Sequence, residues 1–548
     1  MSVTRIPFDV SLEKATALSA GSLTCLYEKG NLRYIKKGHN ELVRMIYTAV
    51  RDGDWNTASY TIHDEHIVND GAGFRVSYTA KYALNDIAYS AAITITGSRD
   101  EQIVFEMNGV AEKDFNTNRI GICVHLPVKE CAGQRVLITE PTGIETNNQF
   151  PALISPGQPF GNIKKMQWLT GDDEITLLCD GEIFEAEDQR NWMDESFKVY
   201  GRPLALPFPY AVNRGDEVHQ KITITVKQKE QSVHQQNDDS TPSIEKYALP
   251  AFGVDAGNIA HAATDYDELK LLYSDKVRLE LFFKNGWEPL LQKALGEIER
   301  SGKKVELAIF FTNNYKKELI EISDFLTSHN NILDSVLLLH EDHKVTPAFL
   351  QEAAWPLLKE KNPSIKIGYG TDVYFAELNR NRPVDDMYDF ISFSMNPQVH
   401  SFDNRSLVEN IGSIESMMNT VRSFTSKPVH VSPVTFKKRK NHDTTGQERN
   451  KPVNNFDERQ HTGFGAGWFL LCFYALRKAD SVTFFNLSGP AKIEPGSSLQ
   501  KVLKQLNDFK PTAYYKNPGD DARIIFENDQ GMTMGFDLDE AFFNTTKL

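Results

Sequence analysis

From residue 250 onward the chain repeats one pattern. Short apolar runs begin near Pro250, Val277, Val305, Ser335, Ile365, Phe390, Val429 and Val482, and a helical pattern lies between each neighbouring pair. A strand can rejoin a parallel neighbour only through a crossover of a dozen or more residues, usually a helix. Eight such units in about 250 residues is what a (β/α)8 barrel needs. An open doubly wound sheet would share the alternation. The count of eight, and the lack of a Gly-rich phosphate loop after the first run, favour the barrel. In Gly286–Arg300, residues Trp287, Leu290, Leu291, Ala294, Leu295 and Ile298 share one helical face, while Gly463–Ala479 is apolar nearly all round and is expected to be buried. Thr346 before Pro347 reads as an N-cap and first-turn pair, and a further helical pattern, Ser497–Phe509, follows the last strand.

The first 230 residues have a different texture. Alternating β-branched runs such as Phe74–Ala80, Tyr89–Thr96, Gln102–Met107, Ile120–Leu126 and Lys221–Val226 are separated by Gly, Asn and Asp. Such spacing predicts an antiparallel sandwich. Lys227–Ser243 holds one aliphatic residue, Val233, and is the expected linker. Near the C-terminus, Arg523–Glu527 and Gly531–Asp537 read as a β-hairpin. The expected organisation is therefore a β-sandwich-like domain over 1–230, a TIM barrel over 246–490 and a small C-terminal β-domain over 491–548.

A chain of 548 residues with 60 basic and 74 acidic side chains carries a net charge of −14, which disfavours nucleic acid as a partner. No stretch is long and apolar enough to span a bilayer. MSVTRIPFDV lacks the charged leader and apolar core of a signal peptide. Five cysteines without a CxxC or Cys/His cluster argue against disulfides and structural zinc, so a cytoplasmic location is expected. Nothing in the composition speaks to oligomeric state.

In a barrel the reacting groups lie past the C-terminal ends of the strands, where the loops converge. Past strand six, ISFSMNPQVHSFDN supplies Asn396, Gln398 and His400, and a histidine there can exchange a proton near neutral pH. Past strand five, GTDVYFAELNRNRP supplies Glu377 among arginines, either an ion pair or a general base. Strand four ends in HEDH, residues 340–343. Alternation lets only two of these side chains point together, too few to specify a metal, so neither metal nor cofactor is expected. Glu341 is a candidate second carboxylate. Asp255 and Asn313 end strands one and three. The basic run Lys437–Lys440 offers cations for a carboxylate or an oxyanion, with Lys437 the candidate contact. The segment 184–210 is poor strand material, dense in charge and aromatics. Its Arg190, Asn191, Asp194 and Lys198 suit either an inter-domain surface or a loop that completes the site.

The segments EDQRNWMDESFKVYGRPLALPFPY, YFAELNRNRP, FSMNPQVHSFDN, HVSPVTF and FDERQ (456–460) together resemble the D-apionate lactonase family, over most of the chain. The resemblance implies a β-domain, a barrel and a small C-terminal domain. It also implies hydrolysis of D-apionolactone, a lactone of a branched plant sugar, to D-apionate. Lys437–Lys440 is not part of the family pattern carried over. The roles inferred for such a hydrolysis are water activation by Glu377 or Glu341 and oxyanion stabilisation by His400, Asn396 or a nearby Lys or Arg. His400 is the candidate acid for the leaving oxygen, and Asp255, Gln398 and Asn313 are candidate contacts for the sugar lactone. No GxSxG elbow is present, which disfavours a serine acyl-enzyme. Two other readings share the architecture: a glycoside hydrolase of plant-derived sugars using Glu341 and Glu377 as paired carboxylates, and a non-catalytic carbohydrate-binding protein.

Overall fold

A computed structural model describes residues 2–228, 244–260, 266–283, 286–440 and 453–543. Most of the expected linker, 229–243, lies outside the described residues. Two compact units result: one takes residues 2–11, 191–194 and 244–543, the other residues 12–190 and 195–228.

The second unit consists mainly of two antiparallel sheets. The eight-stranded sheet runs from Phe160–Ile163 at one edge to Thr16–Ala20 at the other, and the nine-stranded sheet from Glu145–Gln149 to Ser59–Asn69. Alternation along each strand sends Leu32, Ile46, Ile93, Phe105 and Trp168 into one shared apolar core. The charged segment after residue 184 contains two paired strands, Phe184–Asp188 and Ser196–Gly201, where irregular chain was expected. Opposite charges explain the difference. Glu187 faces Lys198 across the pair at 2.5 Å, and Asp188 takes Arg190 through bonds of 2.9 and 2.8 Å.

The first unit holds the closed parallel barrel. Its strands are β1 (Ala251–Asn258), β2 (Lys276–Phe282), β3 (Lys304–Phe311), β4 (Leu333–His340), β5 (Lys366–Gly370), β6 (Phe390–Met395), β7 (Val429–Val434) and β8 (Ser481–Asn486). Among the helices, α1 (Trp287–Arg300) buries Leu291, Ala294, Leu295 and Ile298, a stripe at spacings of three and four; Leu290 falls outside it and is exposed. Helix α2 (Ala348–Lys361) follows β4, α3 (Phe375–Arg380) follows β5, and α4 (Gly463–Ala475) is buried over its first eleven residues. The C-terminal hairpin, Arg523–Asn528 with Thr533–Leu538, lies in a five-stranded sheet with Pro511–Tyr515, Tyr247–Ala248 and the chain's first strand, Ser2–Ile6.

The barrel interior divides into two halves. One is apolar: Phe282, Ala308, Phe310, Leu337, Leu339 and Phe390 form a single cluster. Gly368 on β5 has no alternative there, because a Cβ would meet the Phe390 ring at 2.4 Å. The other half is ionic. Along β2 the residues Val277, Leu279 and Leu281 alternate with Lys276, Arg278 and Glu280, all of them buried. Lys276 Nζ lies 2.6 Å from Glu306 on β3, and His430 Nδ1 on β7 lies 3.2 Å from the same carboxylate. Burial pushes Glu306 up, but Lys276 and His430 overcome it and hold the carboxyl well below its usual range. Burial and Lys276 together depress His430 despite the carboxylate beside it.

Candidate active site

At the C-terminal end of the barrel the ionic half continues into a mouth of opposed charges. Arg278 Nη1 reaches Glu280 at 2.7 Å and Asp255 at 3.4 Å. The chain after β7 returns over the opening, so that Arg439 bonds Glu280 and stands 3.7 Å from Asp255. Lys440 Nζ lies 2.5 Å from Asp372 and 3.8 Å from Glu280, with the Phe310 ring 4.1 Å below it. Burial depresses the Lys440 ammonium, and the two carboxylates only partly restore it. Burial pushes Glu280 up, while Arg439, Lys440 and Arg278 win and hold it below its usual range. Asp255 Oδ2, like Nε and Nη2 of Arg278, is buried with no hydrogen-bond partner among the described residues.

A second group surrounds Trp192, in the stretch 191–194 that belongs to the barrel unit. His400, past β6, has its Nδ1 2.6 Å from Asp194 Oδ2, and the buried Asp194 also accepts Asn410 Nδ2 at 3.1 Å. The His400 ring meets Trp192 edge-on at 5.8 Å. Arg380 stacks over the same indole at 5.1 Å, and its Nη1 lies 3.9 Å from Glu377, which also accepts Lys344 at 3.2 Å. Asn379 donates to Asn191 at 3.0 Å. Glu377, His400, Asn191 and Asp194, separate in sequence, are thereby joined in one run of contacts.

Of the remaining candidates, Asn396 lines a small cavity together with Asn191 and Trp192, and the others fall elsewhere. Gln398 donates to Phe436 O at 2.8 Å and to Asp457 at 2.9 Å, and it accepts Arg459 at 3.4 Å. Asp457 also takes Arg459 at 2.6 Å, so the FDERQ motif braces the β6 and β7 loops. Asn396 is buried, and its carboxamide oxygen accepts Gln398 N at 3.3 Å. Asn313 donates to Asp342 at 3.2 Å, and Glu341 follows β4 with its amide on Phe311 O at 2.9 Å. Lys437 donates to Phe456 O at 3.4 Å, while Arg439 and Lys440, two and three residues further on, enter the mouth. Arg190 and Lys198 belong to the other unit, in the ion pairs already described. Among the described residues, no three His, Cys, Asp or Glu side chains are grouped to hold a metal ion.

The interior charges Lys276, Arg278, Glu280, Glu306 and His430 were missed in the sequence. The available signal was the alternation of KVRLELF: helices cover the outer face of a barrel, so the polar alternate residues of a buried strand must point inward.

Comparison with known proteins fits both units. Residues 4–229 match the family model described as D-apionate lactonase, N-terminal domain, and residues 251–505 the D-apionate lactonase, TIM barrel domain. A D-apionate lactonase of Brucella anthropi is 28% identical over 517 residues, covering 88% of this chain and 84% of the relative. Among solved structures, an endo-1,4-β-D-mannanase from Thermotoga petrophila aligns over 48% of this chain and 99% of its own, at 9% identity and a TM-score of 0.33. A galactose 1-epimerase from Lactobacillus acidophilus aligns over 40% of this chain and 100% of its own, at 5% identity and a TM-score of 0.29. With family models matching most of its length, the chain belongs to the D-apionate lactonase family.

Proposed function

We propose that the chain opens D-apionolactone to D-apionate by direct attack of water on the lactone carbonyl, with His400 as the base. The observation that carries this reading is the His400–Asp194 pair at 2.6 Å past the end of β6, with Asp194 buried and further held by Asn410. A carboxylate on Nδ1 fixes the tautomer and steadies the imidazolium that forms when Nε2 takes a proton. Water loses its proton to Nε2 as its oxygen bonds to the carbonyl carbon. The carbon–ring oxygen bond then breaks, and the same proton passes to the departing oxygen, giving a carboxylic acid and a free hydroxyl. Lys440, the cation over the mouth, is assigned to the oxyanion, where one donor is typically worth about 10²–10³-fold. Glu377 is engaged by Lys344 and Arg380 and is assigned to binding rather than proton transfer. Asp255, with a buried oxygen that accepts no hydrogen bond among the described residues, is assigned to a substrate hydroxyl.

The assay is acid release from D-apionolactone at constant pH, run beside aryl glycosides. Ring opening with the glycosides intact is the expected result. Cleavage of a glycoside without ring opening would replace this reading with the paired-carboxylate one, and binding of the sugar without turnover of either would make the protein a carbohydrate binder.

A further inference from the structure

Beside the barrel, between the start of α2 and the chain after α3, lies a cavity of about 540 Å³. Lys344, Arg380 and Arg382 line it, with Asp385 as its one carboxylate. Even with Glu377 counted against Lys344 and Arg380, the lining keeps a net positive charge in a chain whose formal charge is −14. The N-terminus of the 14-residue α2 opens on the same space: Pro347 occupies the N-cap with no side-chain cap, and no acid stands in the first turn. Thr346, the expected cap, is taken by the strand ends instead. Its hydroxyl donates to Leu338 O at 2.5 Å and accepts Gly370 N at 3.0 Å. The positive end of the helix dipole is thus left to the cavity.

An independent observation points to the ligand's other end. Gln351 lines the cavity yet is only 1% exposed. Its Nε2 donates to Met387 O, and its Oε1 has no partner among the described residues. An unpaired buried acceptor costs free energy unless a donor reaches it. Cations and helix amides call for an anion, and the carboxamide oxygen calls for a hydroxyl.

We propose that this cavity binds a small polyhydroxylated anion, a sugar acid or a sugar phosphate, with the anionic group on Arg380, Arg382 and the first amides of α2 and a hydroxyl on Gln351 Oε1. The site stands apart from the His400–Asp194 pair and needs no turnover. It is linked to the residues around that pair through Arg380, which stacks on Trp192, and through Arg382, which donates at 2.7 Å to Asn379, itself bonded to Asn191.

The test is calorimetric titration of the full chain with D-gluconate, glucose 6-phosphate, inorganic phosphate and sorbitol. Saturable binding of gluconate or glucose 6-phosphate is expected, the tighter of the two identifying the source of the anion, with sorbitol not binding. R382Q, at an exposed position, is expected to weaken both by about tenfold or more, the value of a charge-assisted bond. Q351M is expected to weaken the sugar anions while leaving phosphate unchanged, and H400A to bind all probes as the native chain does. No saturable binding by the native chain, equal affinity for sorbitol, an unaltered R382Q, or loss of binding in H400A would each overturn the proposal. Failure of ring opening with anion binding intact would count against the lactonase mechanism alone.

Discussion

His400→Ala is expected to lower kcat for lactone opening by about 10²–10⁴-fold, the usual worth of a positioned acid–base group. KM should change little, because the ring acts on the water and the leaving oxygen more than on the bound sugar. Asp194→Asn should approach the same loss. An asparagine keeps the hydrogen bond to Asn410 possible but no longer steadies an imidazolium on His400. Glu377→Gln gives the contrast: assigned to binding, it should raise KM more than it lowers kcat. The readout is steady-state kinetics across pH, with near-native circular dichroism as the control for folding. An H400A protein turning over at the native rate would remove the histidine from the chemistry.

The second large effect concerns stability. Glu306 is 1% exposed and lies 2.6 Å from Lys276 Nζ, 3.2 Å from His430 Nδ1 and 3.9 Å from Arg278 Nε. Removing it leaves Lys276 in the barrel interior without the carboxylate that pairs it, so Glu306→Ala is expected to cost about 3–5 kcal/mol. Against a typical total of about 5–15 kcal/mol, that threatens the fold of the barrel unit itself. Glu145→Ala, which breaks a 3.5 Å pair with Lys165 on the surface, should cost under about 1 kcal/mol. Urea midpoints of the two variants make the comparison; equal midpoints would mean that the interior network contributes no more than a surface pair.

The same network sets the response to acid. Glu306, Glu280 and His430 all sit below their ordinary values in the folded chain. Each therefore binds fewer protons folded than unfolded, and each contributes stability that is present above its unfolded value and lost on acidification. The loss should begin below about pH 6.5 as unfolded histidine takes up protons, and steepen below about pH 4.5 as unfolded carboxylates do.

Much of the barrel was legible because eight helices must cover eight strands, and that demand writes apolar residues at regular intervals. The antiparallel sheets announced themselves through alternation. The segment after residue 184 was misread for a physical reason. Cross-strand pairs such as Glu187 with Lys198 neutralise one another only once register brings them face to face. Thr346 was misjudged as a cap because a hydroxyl can serve a helix or two strand ends, and only the fold decides which. In the site, the partnership of His400 with Asp194 spans 206 positions, which no local pattern encodes. The basic run was noticed for its charge, yet which of its members enters the mouth depends on the path of the chain after β7.

Crystals of the enzyme soaked with D-apionate address the central assignment most directly. The account predicts the sugar acid at the C-terminal mouth of the barrel, its carboxylate within hydrogen-bond reach of His400 Nε2 and Lys440 Nζ. Product bound at that end but out of reach of His400, with a different base against its carboxylate, would contradict it.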